Sequence, residues 1–183
     1  AGLKDWLEAA ARRFRQIDPA LTTEQSLTST APGYTFDMIT NPDVRYEIDV
    51  TQPNGSRIKN LSYKGAPVSS TAEFIVATNN YRANGGGSFP GLDGTKTIIA
   101  SPDTNRDVLI QYVKNAKTLT RKQNGLDRSW RFTKVATAGP VTFKSAQDKL
   151  PVAIAAGLSN VSLFKADDGS GKGLSVYQID LSK

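Results

Sequence analysis

Neither histidine nor cysteine occurs anywhere in the 183 residues, and Met38 is the one methionine. The first two absences exclude a Ser-His-Asp or Cys-His nucleophile, a zinc site of the usual imidazole and thiolate ligands, and a disulfide framework. Missing cysteine fits an oxidising compartment and a reducing one equally well. No apolar run approaches the roughly 20 residues that span a bilayer, and Ala1-Gly2-Leu3-Lys4-Asp5-Trp6 carries no signal-peptide pattern. The chain opens without an initiator methionine, which points to a mature product or a piece cut from a longer protein, with any targeting segment lost. What is present is ordinary: 38% hydrophobic and 22% charged residues. The length fits a single domain over residues 1–183, able to bury about 70% of its unfolded surface.

Basic residues number 23 against 17 acidic ones, a net charge of +6. Between residues 114 and 134, Lys114, Lys117, Arg121, Lys122, Arg128, Arg131 and Lys134 face only Asp127, so this stretch holds the whole excess. Elsewhere charges cancel, as Arg12, Arg13 and Arg15 do against Asp5, Glu8 and Asp18. A polyanion gripped along that stretch would make the chain a basic nucleic-acid-binding module without catalysis. Trp130 and Phe132, however, alternate with Arg131 as a half-buried strand does, which assigns the two rings to core packing.

Local patterns give an α+β reading, a mixed sheet with helices and no internal repeat. Leu3, Leu7, Ala10, Phe14 and Ile17 form one stripe of a helix that Asp18-Pro19 ends. Residues 19–37 read as an irregular connection. Tyr46-Glu47-Ile48-Asp49-Val50 alternates as a strand, Gln52-Pro53-Asn54-Gly55 turns, Arg57 to Tyr63 returns, and Lys64-Gly65-Ala66-Pro67 turns again. Glu73-Phe74-Ile75-Val76-Ala77-Thr78 is a continuous apolar run of the kind that forms a central strand. Lys96 to Ala100 is a further strand candidate. A helix is expected to start at Ser101-Pro102 and to bury Val108, Leu109, Tyr112, Val113 and Ala116. Beyond it the reading gives a strand at Trp130-Arg131-Phe132, a short helix at Ser145 to Lys149, and a strand at Val152 to Ala156. Asp167-Asp168-Gly169-Ser170-Gly171 forms a hairpin loop, and Leu174 to Leu181 is the last strand.

Asn79-Asn80-Tyr81-Arg82-Ala83-Asn84-Gly85-Gly86-Gly87-Ser88-Phe89-Pro90 is the one stretch too particular to be generic. Two readings stand. An aromatic just past a strand tip, beside three glycines, can be a shelf for a flat ligand such as a nucleobase, with stacking worth about 1 to 3 kcal/mol. On the residues alone the plainer reading leads: a flexible loop whose Tyr and Phe help to close the core. A phosphate cradle fits less well, because no Gly-Lys-Ser/Thr follows the glycines. Among other polar clusters, Asp167, Asp168 and Ser170 read as a solvated hairpin, since the loop lacks the spaced carboxylates of a calcium loop. Asp43, Glu47 and Asp49 read as surface residues.

Phe74 to Gly86 resembles the motif of the C-terminal domain of the 5′-nucleotidase family. The longer frame is similar to one branch, the periplasmic bifunctional 2′,3′-cyclic-nucleotide 2′-phosphodiesterase/3′-nucleotidases. That frame comprises Leu3 to Glu8, Gln16 to Pro19, Tyr46 to Pro53, Arg57 to Leu61, Ala100 to Arg106 and Tyr177 to Lys183. The resemblance covers nearly the whole chain and is weakest from 118 to 172. It implies a C-terminal domain that grips the nucleoside, while an N-terminal metallophosphoesterase domain, outside this sequence, hydrolyses the phosphoester with two divalent metal ions. No catalytic residue and no cofactor is then expected in this chain. The implied partners are nucleosides, 3′-nucleotides and 2′,3′-cyclic nucleotides, and the chain's own catalytic domain, in the periplasm, with neither membrane nor nucleic acid bound.

In such enzymes two aromatics sandwich the base; one maps onto Tyr81, and its partner precedes the first helix of this chain. The implied substrate-binding residues are Tyr81, Asn79, Arg82, Gly85, Gly86 and Gly87, with Arg82 reaching a phosphate, the metal domain or solvent. Many family members carry an aspartate after the glycine pair, where this chain has Gly87. A noncatalytic surface-interaction domain is the remaining alternative.

Overall fold

The computed structural model describes residues 2–30, 37–125 and 128–183, and does not describe the side chains of Arg121 and Lys122. Part of the irregular connection, 31–36, and Asp127 of the basic stretch therefore lie outside the described residues. In chain order the elements are α1 (Gly2–Ala11), β1 (Gln25–Ser26), β2 (Val44–Ile48), β3 (Ile58–Tyr63), β4 (Ala66–Pro67), α2 (Asn80–Ala83) and α3 (Asn105–Ala116). There follow α4 (Arg121–Asn124), β5 (Trp130–Phe132), β6 (Val141–Ala146), α5 (Leu150–Ala155), β7 (Val161–Lys165) and β8 (Leu174–Ile179). The strands form two four-stranded sheets, ordered β4-β3-β2-β5 and β1-β6-β8-β7. Both mix parallel and antiparallel neighbours: β5 runs parallel to β2 and β1 to β6, and the other pairs are antiparallel. The α+β reading stands.

The hairpins form where local chemistry dictates. Val44, Tyr46, Ile48 and Val50 are buried and the residues between them are not, which is the two-residue period of a strand with one face on the core. Asp49 closes the β2–β3 loop by accepting hydrogen bonds from the Thr51 amide (3.0 Å) and hydroxyl (2.6 Å). Lys64 and Gly65 both take positive φ, 50° and 80°, as a two-residue type I′ turn into β4 requires. Trp130 and Phe132 of β5 turn inward, and Phe132 meets the Phe14 ring edge-on at 4.9 Å.

Helix α1 is shorter than its apolar stripe. Leu7, Ala10, Phe14 and Ile17 are all buried as their spacing requires, but the helix stops at Ala11. Phe14 instead bridges Thr28, and the Ile17 amide donates to the Val50 carbonyl at 2.8 Å. The cause is Arg57, only 2% exposed, whose Nη1 donates to the carbonyls of Ala11 (2.9 Å) and Phe14 (2.7 Å) while Nε donates to Gln52 (2.9 Å). The Phe14 carbonyl, and the Ala11 carbonyl that also accepts the Phe14 amide at 3.1 Å, are thereby bonded by one guanidinium. Glu8, in the same helix, accepts the amides of Arg57 (3.0 Å) and Ile58 (2.8 Å), so α1 and β3 are joined in both directions. Burial pushes the Arg57 pKa down, while the charges of Glu8 and Asp49 push it back up.

Several expectations are corrected. The run 73–78 forms no strand: Ile75 is 85% exposed, Val76 is 42% exposed, and only Phe74 packs, edge-on against Tyr63 at 5.3 Å. A continuous apolar run becomes a central strand only if ladders form on both sides, and among the described residues none pairs with it. Lys96 to Ala100 is likewise irregular, with Ile98 and Ile99 exposed. Helix α3 starts at Thr104, not Ser101: its hydroxyl donates to the Asp107 carboxylate (2.7 Å) and accepts from the Asp107 amide (3.2 Å). None of its residues is buried, and the expected inner face of Val108, Leu109, Tyr112 and Val113 lies exposed.

The helix expected at 145–149 is occupied in its first half by β6, whose ladder to β8 continues through Ser145↔Ser175 and Ala146↔Leu174. The strand expected at 152–156 is helix α5, with Pro151 in its first turn, where a missing N–H costs nothing. The Asp167–Gly171 loop does connect β7 to β8 as expected, held by Lys144 Nζ on Asp168 at 2.8 Å. No helix among the described residues is long and apolar enough to cross a membrane.

Two outcomes follow from this architecture. Arg57→Ala strands buried carbonyls and empties a filled site, so it is expected to lower unfolding stability by about 3 to 5 kcal/mol, read as a shift of the urea midpoint. Glu8→Gln keeps the shape but loses one acceptor and the negative charge, and costs less. In amide hydrogen exchange, 73–78 and 96–100 exchange at near-unprotected rates while the β6–β8 ladder is slowest; protection of 73–78 equal to that of β8 would contradict the exposed course of that segment.

Candidate functional site

The Asn79–Pro90 stretch is built on a single helical turn. Asn79 caps α2, its side-chain oxygen accepting the Arg82 amide at 2.8 Å. At the other end the Gly86 amide donates to Tyr81 (2.8 Å) and the Gly85 amide to Arg82 (3.1 Å), with Gly85 at φ +92°. These are the paired bonds of a Schellman termination, in which the residue after the cap is left-handed and best supplied by glycine. A four-residue helix has little stability of its own. Here both ends are tied.

Tyr81 and Arg82 are consecutive on this turn, so their side chains leave it about 100° apart. One goes out and the other in. Tyr81 is 58% exposed, whereas Arg82 is 5% exposed. Arg82 Nε donates to Asp37 Oδ2 at 2.7 Å, Nη1 donates to the Gly86 carbonyl at 2.7 Å, and the guanidinium lies 4.5 Å from the Phe89 ring centroid. Phe89, 3% exposed, packs on Trp6 of α1 at 4.6 Å, and Trp6 Nε1 donates to the Asp37 carbonyl at 2.7 Å. The reading of Arg82 as a solvated side chain is thus corrected. Its guanidinium is buried and pairs with Asp37, whose side chain is 38% exposed, because a helical turn that exposes Tyr81 points its neighbour inward.

The glycines have a different reason from the one the sequence suggested. A Cβ on Gly86 would lie 2.5 Å from Cδ1 and Cε1 of the Tyr81 ring, one on Gly87 would meet the Arg82 guanidinium, and one on Gly85 would lie 2.9 Å from the Leu92 carbonyl. The space beside the bare backbone is filled by the protein itself, by side chains at Gly86 and Gly87 and by a backbone carbonyl at Gly85. What remains open is the Tyr81 ring itself, backed by Gly86 and with the Arg82 guanidinium 5.6 Å from its centroid. Among the described residues no second aromatic pairs with it. Two depressions, of about 640 and 460 Å³, lie on the β1-β6-β8-β7 sheet and take no residue from 79–94.

Asp37 and Trp6 belong to this cluster and were not anticipated. Asp37 lies 45 positions from Arg82, and nothing in its local sequence announces the pairing. Elsewhere, the basic stretch is partly engaged: Arg131 donates to Glu47 at 2.9 and 2.5 Å, which with Asn60 and Thr133 holds the Glu47 carboxyl below its ordinary range. Glu47, expected at the surface, is half-buried by these contacts. No three acidic side chains among the described residues come together as a group that could hold a metal ion.

The family model for the C-terminal domain of 5′-nucleotidase matches residues 1–94. Over 97% of its length the chain is 39% identical to the trifunctional nucleotide phosphoesterase protein YfkN of Bacillus subtilis, covering 12% of that protein. Over 99% it is 36% identical to the 2′,3′-cyclic-nucleotide 2′-phosphodiesterase/3′-nucleotidase of Haemophilus influenzae, and likewise to that of Salmonella typhimurium, covering 30% of each. It thus spans less than a third of the relatives it matches. No solved structure matches. A matched stretch that begins in α1, takes in the β2–β3 hairpin and ends after the glycine turn places the chain in the 5′-nucleotidase C-terminal-domain family.

Proposed function

We propose that this chain supplies the nucleoside-holding surface of a 2′,3′-cyclic-nucleotide 2′-phosphodiesterase/3′-nucleotidase, with the Tyr81 ring as the stacking platform. The observation that carries the reading is an aromatic residue 58% exposed on a turn tied at both ends. A large ring held in water by a rigid support pays no ordering cost when a flat ligand settles on it. Asn79, Gly85 and Gly86 act by building that support, and Gly87 by admitting the Arg82 guanidinium beneath it. Relatives that match this chain over 30% of their length are named for the hydrolysis of cyclic nucleotides and 3′-nucleotides, which supports nucleosides as the ligand class. Phosphoester cleavage, the divalent ions it uses and a periplasmic location belong on this reading to the longer protein.

Stacking on one ring face is worth about 1 to 3 kcal/mol, while millimolar binding needs about 4 kcal/mol. Adenosine and 3′-AMP are therefore expected to bind the 183-residue chain at millimolar strength or weaker. Tyr81→Ala is expected to remove that binding in an NMR titration and to change the melting temperature little. Loss of several kcal/mol of stability in Tyr81→Ala, or adenosine binding that survives it, would overturn the platform. RNA binding that falls steeply with salt would transfer the function to the basic 114–134 stretch. The purified chain is also expected to leave bis(4-nitrophenyl) phosphate intact with added divalent metal, because it has no imidazole and its described residues hold no carboxylate cluster of the kind that two-metal phosphoester cleavage needs.

A further inference from the structure

We infer that Arg82 and Asp37 are the positioning pair of the Tyr81 platform: their ion pair, anchored on Trp6 of α1, sets the direction in which the ring points. The inference rests on the nucleoside reading for what the platform holds, but the orientation of the ring is a separate physical statement. It begins with the single turn of α2. Four residues cannot hold a direction by their own hydrogen bonds, so the azimuth of Tyr81 about the helix axis must come from whatever fixes a neighbour. Arg82 is that neighbour. Its Nε is taken by Asp37 and its Nη1 by the Gly86 carbonyl, both at 2.7 Å, so the guanidinium fork is held at two points in one plane.

The second of those points is on the ring's own support. Gly86 lies against the Cδ1–Cε1 edge of Tyr81, and its carbonyl is held by Arg82, so the same side chain fixes the residue behind the ring and the turn that carries the ring. The first point connects the turn to the core. Asp37 accepts Arg82 with its carboxylate and Trp6 Nε1 with its carbonyl, and Trp6 and the guanidinium both pack on Phe89. A chain of contacts thus runs from α1 to the platform without a flexible link. Gly87 completes the fit, because any Cβ there would meet the guanidinium.

Arginine is required by this geometry. A lysine ammonium on a single flexible stem lacks the planar fork that bonds Asp37 in one direction and the Gly86 carbonyl in another while packing on Phe89. A buried guanidinium without its carboxylate is costly, so Asp37 is needed in equal measure. The pair is a positioning device, and neither side chain is assigned a contact with the ligand.

The test uses the 183-residue chain labelled with 3-fluorotyrosine, in which the Tyr81 resonance among six tyrosines is identified by Tyr81→Phe. In the parent chain Tyr81 is expected to give one narrow ¹⁹F line that is broadened by a soluble paramagnetic relaxation agent. Arg82→Gln and Asp37→Asn are each expected to shift or split that line at temperatures well below unfolding, and to reduce the slope of its shift with added adenosine about tenfold, equivalent to about 1.4 kcal/mol. Arg82→Lys is expected not to rescue either signal. A merely structural role would lower the melting temperature and leave both unchanged, and that result overturns the proposal. Asp37→Asn, which retains an oxygen acceptor, keeps the test available if Arg82→Gln does not fold. Should the parent chain show no adenosine shift, the nucleoside reading fails while the line position and its accessibility still decide whether Arg82 orients the ring.

Discussion

The point at which α1 stops governs the rest of this structure. Leu7, Ala10, Phe14 and Ile17 could have continued as one helical stripe, and the apolar surface they bury would have been similar. Arg57 decides otherwise by taking the carbonyls of Ala11 and Phe14. The chain turns at Arg12 and Arg13 and then leaves the helical path, so Phe14 can bridge Thr28 and Ile17 can pair with Val50. Such a buried cation is tolerated because its Nε and Nη1 end on three carbonyls and because the Glu8 and Asp49 charges offset part of its desolvation. Trp6 is carried by the same helix, so the location of Arg57 reaches as far as the Tyr81 turn.

A second arginine repeats the device at the site. Arg57 ends a helix and Arg82 sits within one, yet both act by bonding backbone carbonyls from a buried position, and both are answered by a carboxylate on another element. This is a use for which arginine is suited: a planar group with several donors can order two pieces of backbone at once. The glycines follow from it. Gly86 and Gly87 are small because the Tyr81 ring and the Arg82 guanidinium occupy the space next to them.

What could be read in the sequence was what local chemistry decides. The alternation of Tyr46 to Val50, the Lys64-Gly65 turn, the inward Trp130 and Phe132, and the loop at Asp167–Gly171 all depend on residues a few positions apart, and the structure has them. The failures were non-local. The run Phe74–Thr78 has the composition of a central strand, but a strand exists only with neighbours, and composition does not supply them. At α5 the β-branched Val152 and Ile154 suggested a strand, while Pro151 and the helix-favouring alanines prevailed. At the site, the prominence of Tyr81 was legible from its place beside the glycines. The burial of Arg82 was not, because it depends on Asp37, 45 residues earlier.

One departure from the family pattern acquires a steric explanation in this light. The resemblance implies an aspartate in many members at the position of Gly87, where it would offer a carboxylate to the nucleoside. In this chain a Cβ at that position would meet the Arg82 guanidinium, and Gly87 also takes a positive φ of 77° that side chains disfavour. The residue inside the turn and the residue after it are therefore not independent: a large cation packed under the turn excludes a side chain at its end. With that carboxylate gone, the described part of the site offers a base one aromatic surface and little hydrogen-bonding selectivity. Stacking is tolerant of base identity because every base has a π-face. On the proposed reading, discrimination among nucleotides must then come from groups that face Tyr81 from the rest of the longer protein, while this chain contributes a surface of fixed direction.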